Sequence, residues 1–203
     1  MAFKSNRQTG FDSEKESTTK AAKILSKTLS TVLWLSFILN VLILSIYYPD
    51  IPRWTLGNLI KIDGFTLLIW ATVTFFSALI SSYATTYLQG FKYQSKFMWL
   101  CLAFTGSVML LVMSNHVLLL IVSWFLMGYF MSQLIGADKD WGEAREASKY
   151  TQRYFLAGTF FLGFGLLLLA FQLDTFLVHE IISQIDTVPF YVLVLAALCI
   201  IIN

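Results

Sequence analysis

Charge is what this sequence has least of. Asp, Glu, Lys and Arg make up only 13% of its 203 residues, against about a quarter in soluble domains. Hydrophobic residues make up 57%, and a soluble fold of this length lacks the polar surface to cover them. A soluble globular protein is therefore excluded. Cysteine is scarce as well: Cys101 and Cys199 both lie in apolar runs, where a thiol behaves as a small hydrophobe. There is no CxxC pair, HExxH, GxGxxG or P-loop, so metal, nucleotide and nucleophile chemistry lack their motifs. No catalytic, cofactor-binding or metal-ligating residue is expected, and a net charge of +2 gives no reason to expect a nucleic-acid partner. A secretory signal peptide is not expected either. The first apolar stretch, starting near Ser30, is too long for one and is not followed by a small-residue cleavage site.

What is present is a series of long uncharged runs. A hydrocarbon core about 30 Å thick needs roughly 20 apolar helical residues. Runs of about that length cover Ser30–Tyr48, Phe65–Ala84, Phe97–Met113, Val117–Ile135 and Tyr154–Phe171, and a sixth covers Val188–Ile202. None contains Asp, Glu, Lys, Arg or His. The expectation is an all-α polytopic membrane helical bundle of about six transmembrane helices. Residues 1–29 form a polar basic tail and residues 30–203 a membrane domain. The three residues Ser114-Asn115-His116 between the third and fourth runs imply an antiparallel helical hairpin.

Basic residues set the orientation. With a cytoplasmic N-terminus, twelve Lys and Arg fall inside: Lys4, Arg7, Lys15, Lys20, Lys23, Lys27, Lys92, Lys96, Lys139, Arg145, Lys149 and Arg153. Only Arg53 and Lys61 fall outside. The N-terminal segment has two readings: a solvated basic tail, or a surface helix capped near Ser17 or Thr18 that runs into the first span.

The first outer loop, "YYPDIPRWTLGNLIKIDGF", holds two helix-stopping prolines, Pro49 and Pro52. Its turn formers Gly57-Asn58 and Asp63-Gly64 suggest a short outer-surface β-hairpin. Trp54 and Tyr47-Tyr48 fit an aromatic belt. The cytoplasmic loop "GADKDWGEAREASKYTQRYF" predicts a short amphipathic helix leading into the fifth span. In "LDTFLVHEIISQIDTVPF", Leu177, Ile181 and Ile185 share a face, and a break is expected near Pro189.

The order of "IDGFTLLIWATVTFFSALISSYATTYLQG", "SKFMWLCLAFTGSVMLLVMSNHVLLLIVSW", "EAREASKYTQRYF" and "LDTFLVHEI" resembles the antiporter-like membrane subunits. These are the distal antenna subunit of respiratory complex I, the Mrp antiporter subunits and the membrane subunit of the Dab inorganic-carbon complex. In that family an Asp-Gly or Asp-x-hydroxyl pair opens a span, which closes on a Tyr- and Gly-containing turn. A later span reads roughly Leu-Val-x-x-x-Asn before a Trp. The resemblance covers about Asp63 to Glu180. The ion-translocating members carry a Glu just after that Trp, coupled to a Lys; here Trp124 is followed by Phe125. Dab membrane subunits lack that Glu, so the resemblance is nearest to them. Lys149 matches the family Lys by its spacing from Trp124, and Arg153 could replace it if the alignment slips. Phe155 and Gly158 fall where an Arg and an Asp are often found. Against the family, this chain looks truncated, or like the front piece of a split member.

The resemblance implies a membrane subunit of an ion-coupled transport complex, without catalysis of its own. The nearest branch implies inorganic-carbon (bicarbonate or CO2) accumulation beside a soluble zinc protein like a carbonic anhydrase. The alternatives are a fragment of an NADH-quinone oxidoreductase or Mrp-type sodium-proton antiporter subunit, and a non-conducting membrane anchor. Membrane lipid and a larger complex are the expected partners, and a bacterial inner membrane the expected location. Lys149, Arg153 and His116 are the candidates for an ion pathway or partner contact. The first two sit at the cytoplasmic mouth of the fifth span, and the third is a titratable group at the outer turn. Intramembrane Ser and Thr are expected to bond helix carbonyls or cross an interface, and Asn40 and Gln133 to join helices.

Overall fold

In the computed structural model the backbone is described for residues 2–47 and 53–202, and side chains for 23–47 and 53–202. The chain is a membrane helical bundle with one small sheet. Its elements are α1 (Ala2–Tyr47), β1 (Trp54–Leu56), β2 (Ile60–Ile62), α2 (Gly64–Tyr87), α3 (Gln94–Met113), α4 (Val117–Ile135), α5 (Gly142–Gln172), α6 (Val178–Ser183) and α7 (Phe190–Ile202). A 3-10 turn at Ile185–Thr187 precedes α7. Five helices are long and apolar enough to cross a membrane: the Lys23–Tyr47 part of α1, α2, α3, α4 and α5. The sixth run forms α7, whose 13 residues span roughly 20 Å. Five membrane-crossing candidates and this shorter apolar helix make up the expected bundle of about six.

Two boundaries differ from expectation. α1 is one 46-residue helix from Ala2, so no helix starts at Ser17 or Thr18 and the backbone of the N-terminal segment is helical. α5 joins the expected amphipathic helix and the fifth span into a single 31-residue helix. Its first four turns, rich in Ala, Glu, Lys, Gln and Arg, contain no Pro or Gly between Gly142 and Gly158, so nothing breaks it. The expected stop at Pro49 and Pro52 and the belt position of Tyr48 lie outside the described residues.

The hairpin forms as the turn residues imply. Trp54, Thr55 and Leu56 pair antiparallel with Ile62, Lys61 and Ile60. Gly57 sits at φ +58, a conformation costly for other residues. Asp63-Gly64 makes no second turn. Instead, the Asp63 carboxylate caps α2, accepting from the Thr66 N–H and hydroxyl, both at 3.0 Å. The Thr66 N–H bond, with help from Lys61 and Arg53, holds the Asp63 carboxyl below its usual range. A lowered folded pKa means the cap stabilises above the ordinary value of 3.8 and is lost as pH falls below it. Asp63→Ala should cost about 1 kcal/mol in detergent unfolding at pH 7. That difference should shrink toward pH 3; one that stays constant with pH would contradict the capping role.

Each long helix packs on its neighbour in sequence, α1 against α2 and on through to α5, and α7 closes against α5; α1 also reaches α3. The arrangement is an open row. Its two apolar cores lie at opposite ends. Leu29, Ala84, Leu88 and Met98 form one where α1, α2 and α3 meet. Val117, Leu169, Ala170, Ile181, Val188, Val192 and Ala196 form the other beneath α6.

Candidate ion-pathway and partner-contact site

The loops on the hairpin side are bonded into one layer. Ile60 bridges Ser114, and His116 bridges Leu177. Asn115 ties three segments together. Its N–H donates to Leu59 O (2.8 Å), its carbonyl accepts from Val178 N (2.8 Å), and its amide donates to Asn58 O (3.3 Å). Its side-chain oxygen also lies 3.1 Å from His179 Nδ1. Thr175 donates to Glu180 beside it. His116 Nδ1 accepts from Leu118 N (3.2 Å), capping α4, and its ring stacks on Phe176 at 5.9 Å. The geometry gives His116 a structural task at the start of α4.

At the opposite end Gln94, almost fully buried, donates to Ser26 Oγ (3.4 Å) and Thr85 O (3.3 Å), tying α1, α2 and α3 together. Tyr93 stands in the α2–α3 turn, near Asp138 in the α4–α5 loop. Burial first, then the Asp138 charge, raises the Tyr93 pKa. Lys149 and Arg153 lie one turn apart on α5 and are both exposed. The structure brings these two together but not to His116, which caps the other end of α4. Among the described residues the ion pair found is Lys61–Asp63, at 4.0 Å.

Between the two ends the uncharged runs within these helices carry hydroxyls and amides and, among the described residues, no Asp, Glu, Lys, Arg or His. Most hydroxyls are met locally. Thr74 bonds Trp70 O, Thr105 bonds Cys101 O, Ser123 bonds Leu119 O and Thr159 bonds Phe155 O. Others stitch neighbours: Ser30 to Ser82 (2.8 Å), Trp34 Nε1 to Ser82 (2.9 Å), Thr105 to Ser77 (2.6 Å) and Ser148 to Ser132 O (2.6 Å). Asn40 does not join helices. It bonds back to Ser36 O (2.9 Å) and lines a cavity of about 280 Å³ between α1, the hairpin and α2. Among the described residues Gln133 bonds nothing. Trp124 Nε1 is buried without a partner, an arrangement that costs about 1–3 kcal/mol. Phe125 is exposed and stacks on Tyr129 at 6.4 Å.

A tight contact between α4 and α5 was not legible in the sequence. A Cβ on Gly128 would lie 2.4–2.8 Å from Phe155, and one on Gly136 2.8 Å from Ser148. Glycine here leaves room for the Phe155 and Ser148 side chains against the α4 backbone, as small residues do in membrane interfaces.

The chain is similar to antiporter-like membrane subunits. It is 28% identical over 153 residues to a probable K(+)/H(+) antiporter subunit of Rhizobium meliloti (strain 1021), a match covering 73% of this chain and 15% of that protein. It is 29% identical over 144 residues to NADH-quinone oxidoreductase subunit L of Escherichia coli (strain K12), covering 65% of this chain and 23% of that one. Its fold matches a chain of the membrane-bound sulfane sulfur reductase, an archaeal respiratory membrane complex. That match has a TM-score of 0.70 and 17% identity, over 93% of this chain and 42% of the other. No family model matches the sequence. The chain thus spans less than a quarter of the two curated relatives. It is an integral membrane protein, a distant relative of subunits from ion-translocating membrane complexes.

Proposed function

We propose that this chain is a membrane subunit of an ion-translocating complex, supplying helical wall and leaving the charged steps of transport to other subunits. The observation that carries the reading is the sequence likeness to antiporter and quinone-oxidoreductase subunits over 73% and 65% of the chain. Proton movement through a membrane needs titratable groups at depth, where each one is costly and so marks function. Among the described residues no Asp, Glu, Lys, Arg or His stands in the uncharged runs of these helices. The N-terminus lies in the cytoplasm of a bacterium and the chain in its inner membrane. Lys149 and Arg153 then face the cytoplasmic side as contacts for an ion or a partner, with His116 on the outer face.

Phe125 favours a second reading, inorganic-carbon accumulation beside a soluble zinc protein, because an apolar residue stands where translocating relatives are expected to carry Glu. Isolation from native membranes in mild detergent separates the two. Antiporter or quinone-oxidoreductase subunits in the isolate support the first, and a stoichiometric zinc protein supports the second. A chain that comes out alone removes both and leaves the non-conducting anchor.

A further inference from the structure

We propose that the cavity under the β-hairpin is an aqueous recess, through which water from the hairpin side of the membrane reaches Asn40 and Ser36 inside the first span. The cavity, about 280 Å³, is open rather than enclosed. Its roof is Trp54 and Ile62, which stand opposite one another in the hairpin and so share one face. Trp70 of α2 and Met109 of α3 wall it on one side and α1 on the other. From α1, Asn40 and Ser36 bring an amide and a hydroxyl to the same space, one helical turn apart.

Depth makes these two groups unusual. Asn40 lies seven residues before the end of α1 and Ser36 eleven, roughly 10 and 16 Å along the axis. Ser36 is thus near the midpoint of the Lys23–Tyr47 segment. Asn40 is only 5% exposed. Its amide nitrogen donates to Ser36 O, and among the described residues its side-chain oxygen accepts nothing. The Ser36 hydroxyl bonds nothing either, whereas Ser123 and Thr159 each bond the carbonyl one turn back.

An acyl chain in the cavity would leave both groups unmet, since hydrocarbon has no donor to offer. Water supplies donor and acceptor alike, and the cavity has room for several molecules at about 30 Å³ each. Apolar walls alone would keep such a space dry; the Asn40 oxygen and the Ser36 hydroxyl give water its anchors. The recess ends within the membrane. Inward of it Trp34, Phe37 and Phe75 pack ring on ring, with centroids 6.0, 6.1 and 5.3 Å apart. Beyond them Ser30, Trp34 Nε1 and Ser82 satisfy one another. Water therefore enters from the hairpin side and goes no further. The hydration follows from the cavity and its two polar groups; use of the recess as an approach for ions rests on the subunit reading above.

The test is thiol labelling of single-cysteine variants, made with Cys101→Ala and Cys199→Ala, in sealed vesicles of either orientation. The probe is a charged, membrane-impermeant methanethiosulfonate. Ser36→Cys and Ile43→Cys both line the cavity. They should be modified from the hairpin side, the side from which Leu56→Cys in β1 reacts. Leu35→Cys and Leu42→Cys, exposed on another face of α1, are the controls. The cavity positions should react about tenfold faster or more, because the reactive thiolate forms in water and not in hydrocarbon. Adding Asn40→Leu should slow Ser36→Cys about threefold or more, the effect of one lost hydrogen bond. Cavity positions that react no faster than the controls would mean that lipid fills the space and would overturn the proposal. Labelling of Ser36→Cys from the opposite side, or a rate indifferent to Asn40→Leu, would overturn it as well. The subunit reading stands or falls separately, on which proteins co-isolate with the chain.

Discussion

Gly128→Leu should cost about 3 kcal/mol or more of stability, at or beyond the upper end of ordinary overpacking. The reason is the direction of the clash. Even a bare Cβ at Gly128 would meet Phe155 at Cδ1, Cγ and Cβ, at 2.4, 2.6 and 2.8 Å. The ring could swing aside, but the Phe155 Cβ moves only with the backbone, so α4 and α5 would have to separate. Separation would also stretch the 2.6 Å bond from Ser148 to Ser132 O one to two turns away. Thermal unfolding in detergent measures the loss, and Gly128→Ala should show a smaller one. Phe155→Ala paired with Gly128→Ala should recover part of it. A Gly128→Leu protein as stable as the parent would mean that α4 and α5 do not cross as described.

Phe125→Glu is the second large effect. Residue 125 lies eight residues into α4, roughly 12 Å from its N-terminal end, near the middle of that membrane-crossing helix. Its side chain is exposed, and no basic side chain stands at that depth among the described residues. A carboxyl there should cost about 2.5–3.5 kcal/mol on insertion scales, through weaker insertion or forced protonation. Phe125→Leu should be tolerated. An insertion reporter fused after α4, together with detergent stability, reads both. If the Glu variant matched the Leu variant in the isolated chain, a hidden counter-charge would have to lie nearby. In the native assembly the penalty should shrink where a partner supplies a base.

The membrane spans were legible because hydrocarbon imposes a length and a composition that nothing else in the sequence imitates. The hairpin was legible because Gly57-Asn58 supplies the positive φ that the turn needs. The helix limits were less so. The sequence marks where charge ends, not where hydrogen bonding ends, so α5 runs through "EAREASKYTQRYF" as one helix and α1 extends back to Ala2. The site shows the same divide. The absence of titratable groups could be read directly. Which of many glycines meets a neighbour could not: Gly128 and Gly136 look no different from Gly163, because the contact depends on which face of α4 turns to α5. Asn115 was legible only as a turn residue, yet it clasps the hairpin, the α3–α4 turn and α6. The idle Gln133 amide and the buried Trp124 N–H could be seen only with every neighbour in place.

Helices whose uncharged runs hold no Asp, Glu, Lys, Arg or His among the described residues should carry no protons by themselves, and one measurement addresses this most directly. The purified chain is reconstituted alone into sealed vesicles carrying an imposed pH gradient and an interior pH dye. The gradient should decay at the rate of protein-free vesicles. A faster, protein-dependent collapse would contradict it, since protons would then be crossing a path that none of the described intramembrane side chains can provide.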